Sequence, residues 1–313
     1  MNSVDHLDVV VAGLAVADII GRPVDLRQLP RKGGLKLIES ISLSTGGNVS
    51  NVGIDLIKLG FRVGAITRVG DDDLGSYIIN QYRKHGMSVE GVRVDAKAQT
   101  SATIVNVGCD GERTFLHTRG CMKNFRGADI LQHRSVIQRA SLLMVGYLGL
   151  LPEMEKELGT LFSTLKEKSA VKILLDTAGN PTTAFGALKR FLPFVDYFLP
   201  SYNEAVLLSR KKSPEEIMAY FRKAGASGIL GLKLGAEGCY IDNGKKAKII
   251  KGKIVRRVID TTGAGDAFVA GFIAAMLKGN EPFAAAAIAN RVAASCVTAV
   301  GASTAIVKYE YYR

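Results

Sequence analysis

The sequence predicts an α/β fold: a mostly parallel central sheet covered by helices on both faces, with a small β-rich lid. Three observations predict it. From Ser141 onward, short apolar runs alternate with longer segments of helical period, the pattern of parallel strands joined by helical crossovers. Two early stretches, roughly residues 20–45 and 95–120, are β-rich and break that alternation, so they read as lid segments inserted in the core. The 313 residues, 47% of them hydrophobic, hold no internal repeat, low-complexity tract or long linker. The chain 1–313 is therefore read as one domain with one large core.

The elements follow in order. LDVVVAGLAV (Leu7 to Val16) is a short β-branched run ending in small residues, a buried strand that enters a loop. Residues 20–45 carry Pro23, Pro30, Gly33 and Gly34 among alternating stretches, which fits loops and edge strands off the main sheet. NVSNVGIDLIKLG has helical spacing and a closing Gly60, RVGAITRVG is a strand, and DLGSYIINQYRKHG is a helix closed by Gly86. Thr100 to Thr118 reads as a hairpin with Asp110-Gly111 at its tight position. Strand and helix then alternate through SLLMVGY, PEMEKELGTLFSTLKEK, VKILLD, TTAFGALKRFL and VDYFLP. NEAVLLSR and SPEEIMAYFRKAG are helices, SGILGLKLG a strand and GCYIDNGKKAKII a hairpin. Two helices, GAGDAFVAGFIAAMLKG and EPFAAAAIANRVAASCVTAV, close the chain.

Composition excludes several functions. A net charge of +12 is a moderate basic bias, and much of it lies in GKKAKIIKGKIVRR, Gly244 to Arg257. Basic and apolar residues alternate there, as in a strand pair with Lys and Arg facing water. Trp is absent and aromatics make up 7%, so no stacking platform for nucleic acid is evident. Cys109, Cys121, Cys239 and Cys296 have neither zinc-site nor disulfide-framework spacing, and a reduced, cytoplasmic setting is expected. The N-terminus lacks the basic region of a signal peptide, and no apolar run is long enough for a membrane span.

The chemistry concentrates in DTTGAGD, Asp260 to Asp266. A glycine-rich loop that opens a helix points several backbone N–H groups one way, and with the helix dipole this makes an anion site. Asp266 falls in the first helical turn, where a carboxylate is favoured. Two readings remain at this level: a first-turn acid, or a base that takes a proton from an attacking hydroxyl. The spacing is neither a Walker loop nor a dinucleotide fingerprint.

DTTGAGDAFVAGF resembles the C-terminal signature of the PfkB-type, ribokinase-like carbohydrate kinases. STGGNVSNVGIDLIKLG with RVGDDDLG resembles their N-terminal signature. The resemblance runs from about Val9 to Gly301 and implies transfer of the ATP γ-phosphate to a sugar or sugar-like alcohol. It gives Asp266 the role of general base and makes Gly263, Ala264 and Gly265 the anion hole. Asp18, Gly47 and Asn51 match acceptor-binding positions. Val16 and Asn48 depart from family residues, and Asn48 stands where ribokinases carry Lys.

LPSYNEA resembles the segment that organises magnesium, with Glu204 as the acid acting through water and Ser201 in place of Asn. LKLGAEG places Lys233, Gly235 and Gly238 at the nucleotide, and Asn290 falls near adenine. Asp176 ends a strand on the crevice side. Many relatives bind a monovalent cation, potassium, beside the anion hole; Asp260 and the Thr262 carbonyl match two of its ligands, with Ser303 or Thr304 nearby. Arg113, on the lid hairpin, either touches the acceptor or flanks the turn as a solvated charge, and Tyr147 either walls the sugar pocket or packs in the core. The implied enzyme is an ATP- and Mg2+-dependent sugar kinase for ribose, fructose or a related sugar, forming a homodimer through the lid. A nucleoside kinase, a phosphofructokinase-like enzyme using Lys36, Arg113 and Arg119, and a catalytically silent sugar sensor are the competing readings.

Overall fold

The computed structural model describes residues 6–181 and 186–313. The chain opens with β1 (Leu7–Gly13), β2 (Val16–Arg22) and β3 (Ser40–Gly46), then α1 (Gly47–Lys58), β4 (Val63–Gly70), α2 (Asp73–His85) and β5 (Ser88–Asp95). β6 (Ala102–Val107) and β7 (Arg113–Thr118) form a hairpin, followed by two short helices, α3 (Gly127–Leu131) and α4 (Arg134–Gln138). Then come β8 (Ala140–Leu148), α5 (Pro152–Lys168), β9 (Lys172–Thr177), α6 (Leu188–Phe191) and β10 (Tyr197–Phe198). α7 (Tyr202–Ser209), α8 (Pro214–Lys223), β11 (Ile229–Lys233), β12 (Gly238–Asp242), β13 (Ala247–Lys251), α9 (Ala264–Leu277) and α10 (Pro282–Cys296) complete it. The helix expected over residues 182–192 begins on residues outside the described ones, and α6 covers part of its second half.

Nine strands form the central sheet in the order β13-β12-β11-β10-β9-β8-β1-β4-β5. All its pairs are parallel except β11–β12 and β12–β13. Alternate residues of β1 feed opposite layers, as a two-residue period requires. Val9 and Val11 pack with α1, α9 and α10, while Val10 and Ala12 pack with α5, α7 and α8. β1 lies between β8 and β4, so the chain builds outward from it in both directions. The crevice beyond the carboxyl ends of the strands at that reversal is where open α/β sheets bind ligands.

The helices end as their sequences dictate. Asp72 caps α2 by accepting from Gly75 N at 2.8 Å, and Gly86 closes it in the left-handed conformation at φ 81°. α5 starts on Pro152, with Glu153 and Glu155 in its first turn and Lys166 and Lys168 in its last, matching the dipole. α9 is apolar on all sides, and every residue from Asp266 to Ala275 is buried.

The second sheet has the order β3-β2-β6-β7. β2 begins at Val16 and lies inside this sheet rather than at an edge, antiparallel to β3 and parallel to β6. The β6–β7 turn is longer than the two-residue type its Asp-Gly pair suggests. Gly108 N donates to Glu112 O, Gly111 N donates to Gly108 O, and Gly111 takes φ 84°, which makes a three-residue loop with glycine in its left-handed position. The basic run from Gly244 to Arg257 is strand only over β13; from Gly252 it leaves the sheet.

Candidate active site

Asp266 sits in the first turn of α9, 6% exposed. Asn51 Nδ2, from α1, donates to its Oδ2 at 2.8 Å, and Tyr147 OH, from the end of β8, donates to the same oxygen at 2.6 Å. Three elements thus fix one carboxylate, and both donors crowd a single oxygen. Burial raises the Asp266 pKa, while Tyr147, Asn51 and the Lys233 charge oppose the rise. Spacing alone does not decide whether Tyr147 is pocket wall or core; the structure puts its hydroxyl on Asp266. Burial and the Asp266 charge push that phenol well above its ordinary range, so it remains a donor.

The loop before α9 is shaped for close approach. Gly263 caps the helix at φ 77°, and a Cβ there would lie 2.4 Å from Ala302 Cβ. Ala264 and Gly265 follow as the first helical residues. A Cβ on Gly265 would have Lys233 Nζ, at 3.6 Å, as its nearest neighbour, so that position borders open space.

This loop floors a cavity of about 380 Å³ walled by Tyr147, Asp176, Thr177, Glu204 and Lys233. It adjoins a larger, mainly apolar cavity of about 470 Å³ bounded by Gly238, Phe268, Asn290 and the segment Gly252–Val255. Lys233, Gly235, Thr261, Ala264 and Gly265 line both. Asn290 Nδ2 holds the cavity wall by donating to Ile250 O at 3.0 Å and Lys251 O at 3.1 Å. The segment after β13, expected as an exposed strand, instead closes this cavity.

Lys233 Nζ lies 2.7 Å from Asp176 Oδ1. Asp176 is 1% exposed, and burial raises its pKa to about 7 although Lys233 lowers it. Glu204 Oε2 accepts from Ser201 N at 3.1 Å and from the Thr177 hydroxyl; neither contact uses Oε1. Two carboxylates therefore face the cavity beside the glycine loop, a hard-oxygen set that fits a magnesium ion keeping most of its waters. Among the described residues, no group of three or more His, Cys, Asp or Glu is placed to hold a metal directly.

In the second sheet, Asp18 lies on β2 in register with Ser44 and Thr103. Burial raises its carboxyl to about 6, with Thr103 and the Arg113 charge opposing the shift. The chain passes very close here. A Cβ on Gly46 would fall 2.3 Å from Asp18 Oδ2; one on Gly47, at φ 83°, would fall 2.3 Å from Leu14 O. Asn48 fixes the end of β1 to α1: its side chain accepts from Leu14 N at 2.8 Å and donates to Ala12 O at 2.9 Å.

Arg113 and Asp260 meet. The guanidinium at the start of β7 donates to Asp260 Oδ2, which also accepts from Gly301 N at 2.8 Å, while Oδ1 accepts from Thr262 N at 3.0 Å. The Thr262 carbonyl accepts from the Cys296 thiol at 3.4 Å.

A family model described as "pfkB family carbohydrate kinase" matches residues 6–308. The chain belongs to the PfkB family of carbohydrate kinases. Among curated relatives, the PfkB chain is 31% identical to 2-dehydro-3-deoxygluconokinase of Bacillus subtilis over 282 residues, 86% of this chain and 85% of that one. It is 25% identical to ribokinase of Haemophilus influenzae over 275 residues, 86% of each. Ribokinase of Thermotoga maritima superposes with a TM-score of 0.81 at 22% identity, covering 98% of each chain, which shows the ribokinase-like fold. The enzyme is a phosphotransferase that takes an alcohol group as acceptor. No helix among the described residues is long and apolar enough to cross a membrane.

Proposed function

We propose that this PfkB enzyme transfers the γ-phosphoryl group of ATP to a hydroxyl of a sugar or sugar-like acceptor, with Asp266 as general base. The observation that carries the reading is the double restraint of Asp266 Oδ2 by Asn51 and Tyr147. Asp266 lines the cavity in front of the glycine loop, and with Oδ2 held by two donors its carboxylate takes the proton from an acceptor hydroxyl as it attacks. Asp18 accepts hydrogen bonds from further acceptor hydroxyls. The N–H groups of Gly263 to Gly265 at the head of α9 meet the charge on the transferring group. The apolar cavity around Phe268 and Asn290 takes the adenine, and Lys233, Gly235 and Gly238 border the phosphates.

Glu204, through water, and Asp176 would hold Mg2+, which supplies charge neutralisation on the phosphates. The lid sheet covers the acceptor and keeps water from competing for the phosphoryl group. Three of the four free cysteines are buried, which supports a reducing, cytoplasmic setting. Leu43, Ile19, Ile104 and Leu116 are aligned across all four lid strands on the face opposite Asp18. Leu43, Ile104 and Leu116 are 39%, 48% and 66% exposed, and this row supports pairing with a second copy; sedimentation as a monomer at micromolar concentration would remove that element.

The test is ATP consumption over pentoses, hexoses, deoxy-sugar acids, sugar phosphates and nucleosides, for wild type and Asp266→Asn. Turnover of one acceptor class, lost in the variant with ATP binding intact, supports the reading. Normal turnover by the variant excludes Asp266 as the base.

A further inference from the structure

The resemblance implies a monovalent cation at Asp260 and the Thr262 carbonyl, and the donor set here does not fit one. Such a cation needs an anionic oxygen and several carbonyls free to turn toward it. The Asp260 carboxylate already accepts two backbone N–H groups and the Arg113 guanidinium. Asp260 is buried and Arg113 half-buried, with side chains 6% and 18% exposed. The loop after α10, the other side of that site, meets a second protein cation. Lys58 Nζ, from the last turn of α1, donates to Ser303 O at 2.5 Å and Thr304 O at 3.4 Å. Positive charge thus reaches both parts of the loop pair from side chains.

The placement of Arg113 gives this a further meaning. It stands on lid strand β7, whereas Asp260 leads into the glycine loop and shapes it through Thr262 N. The same guanidinium also acts on Asp18, a carboxylate of the same lid sheet. The contact with Asp260 therefore ties the lid sheet to the loop that leads into α9.

We propose that Arg113 is a tethered replacement for the monovalent cation, so that the enzyme works without potassium and lid closure itself completes the anion hole. This rests on the assignment of the Gly263–Gly265 loop as the anion hole. Arg113 acts through Asp260 and is a positioning residue. A free ion would charge the loop whether the lid were open or shut. A lid-borne guanidinium charges it only once the acceptor is enclosed, which also disfavours transfer to water.

The test compares wild type, Arg113→Gln and Arg113→Lys in potassium and in tetramethylammonium at equal ionic strength, by turnover and by thermal midpoint. Wild type is expected to show the same turnover and the same midpoint in both salts. Arg113→Gln is expected to lose about tenfold or more in kcat in tetramethylammonium and to regain a large part of it in potassium. Arg113→Lys, which keeps a tethered charge, is expected to stay indifferent to the salt. A saturable rise of the wild-type midpoint or turnover with potassium overturns the proposal, as does equal loss by Arg113→Gln in both salts. If Arg113→Gln does not fold, a salt response in Arg113→Lys overturns it and indifference upholds it. The midpoints need no acceptor, so they decide the cation question even if the acceptor screen fails.

Discussion

Tyr147, near the end of β8, and Asn51, on α1, donate to the same oxygen of Asp266. Because both bonds stabilise the ionised carboxylate, removing either raises the Asp266 pKa further. In Tyr147→Phe the acid limb of the kcat/KM profile is expected to move to higher pH, with kcat/KM down about 10- to 100-fold at neutral pH. Asn51→Ala shifts the limb the same way. Asp266→Asn loses roughly 10²- to 10⁴-fold in kcat with ATP affinity retained. An unmoved limb in Tyr147→Phe, read from kcat/KM against pH, would separate Tyr147 from the base.

Burial of the Asp18 carboxylate in the lid sheet costs stability. The carboxyl is pushed up from 3.8 to about 6 in the folded protein. The folded chain therefore holds that proton more tightly than the unfolded chain, and stability declines as pH rises between those values. Asp18→Asn removes the penalty, so the variant should gain up to about 3 kcal/mol at pH 8, at about 1.4 kcal/mol per pH unit. The gain should vanish below about pH 4. Denaturant melts at the two pH values check this, and the same variant should lose acceptor turnover.

Lys233 Nζ lies 2.7 Å from the buried Asp176 carboxylate. With Lys233→Met, the Asp176 carboxyl should rise beyond its present value of about 7 and take up a proton at neutral pH rather than stay charged. The destabilisation at pH 6 should then be smaller than the roughly 3–5 kcal/mol of a stranded buried charge. It should grow toward pH 9, as melts across that range would record. Equal destabilisation at both ends would contradict the assignment.

Gly263 and Gly265 should respond differently to alanine. Gly263→Ala meets Ala302 at 2.4 Å in a left-handed backbone and should lose about 1–3 kcal/mol of stability. Gly265→Ala finds no close backbone neighbour and should melt at or above the wild-type midpoint, since alanine favours helix over glycine. Its methyl would nonetheless enter the cavity proposed to hold the transferring phosphoryl group, so kcat should fall. A stable, fully active Gly265→Ala would place the phosphoryl group elsewhere.

The central sheet was legible because its signals are local: β-branched runs, helical periods and closing glycines such as Gly86. Asp266, Asn51 and the glycine loop could be singled out as candidates because each lies within a short motif. The contacts that join them were not. Tyr147 reaches Asp266 across 119 positions, Arg113 reaches Asp260 across 147, and Lys58 reaches Ser303 across 245. Spacing along one helix or strand carries no trace of a partner on another element. The same limit hid the fate of the segment after β13, whose alternation resembles a strand although it folds over a cavity.

The lid sheet has one further consequence, for redesign. Its inner strands β2 and β6 are neighbours in space but come from separate stretches of chain, with α1, β4, α2 and β5 between them. Asp18 belongs to the first stretch and Arg113 to the second. The lid is thus written in two clauses of the gene, and a graft that moves one hairpin would carry Asp18 without Arg113, or Arg113 without Asp18.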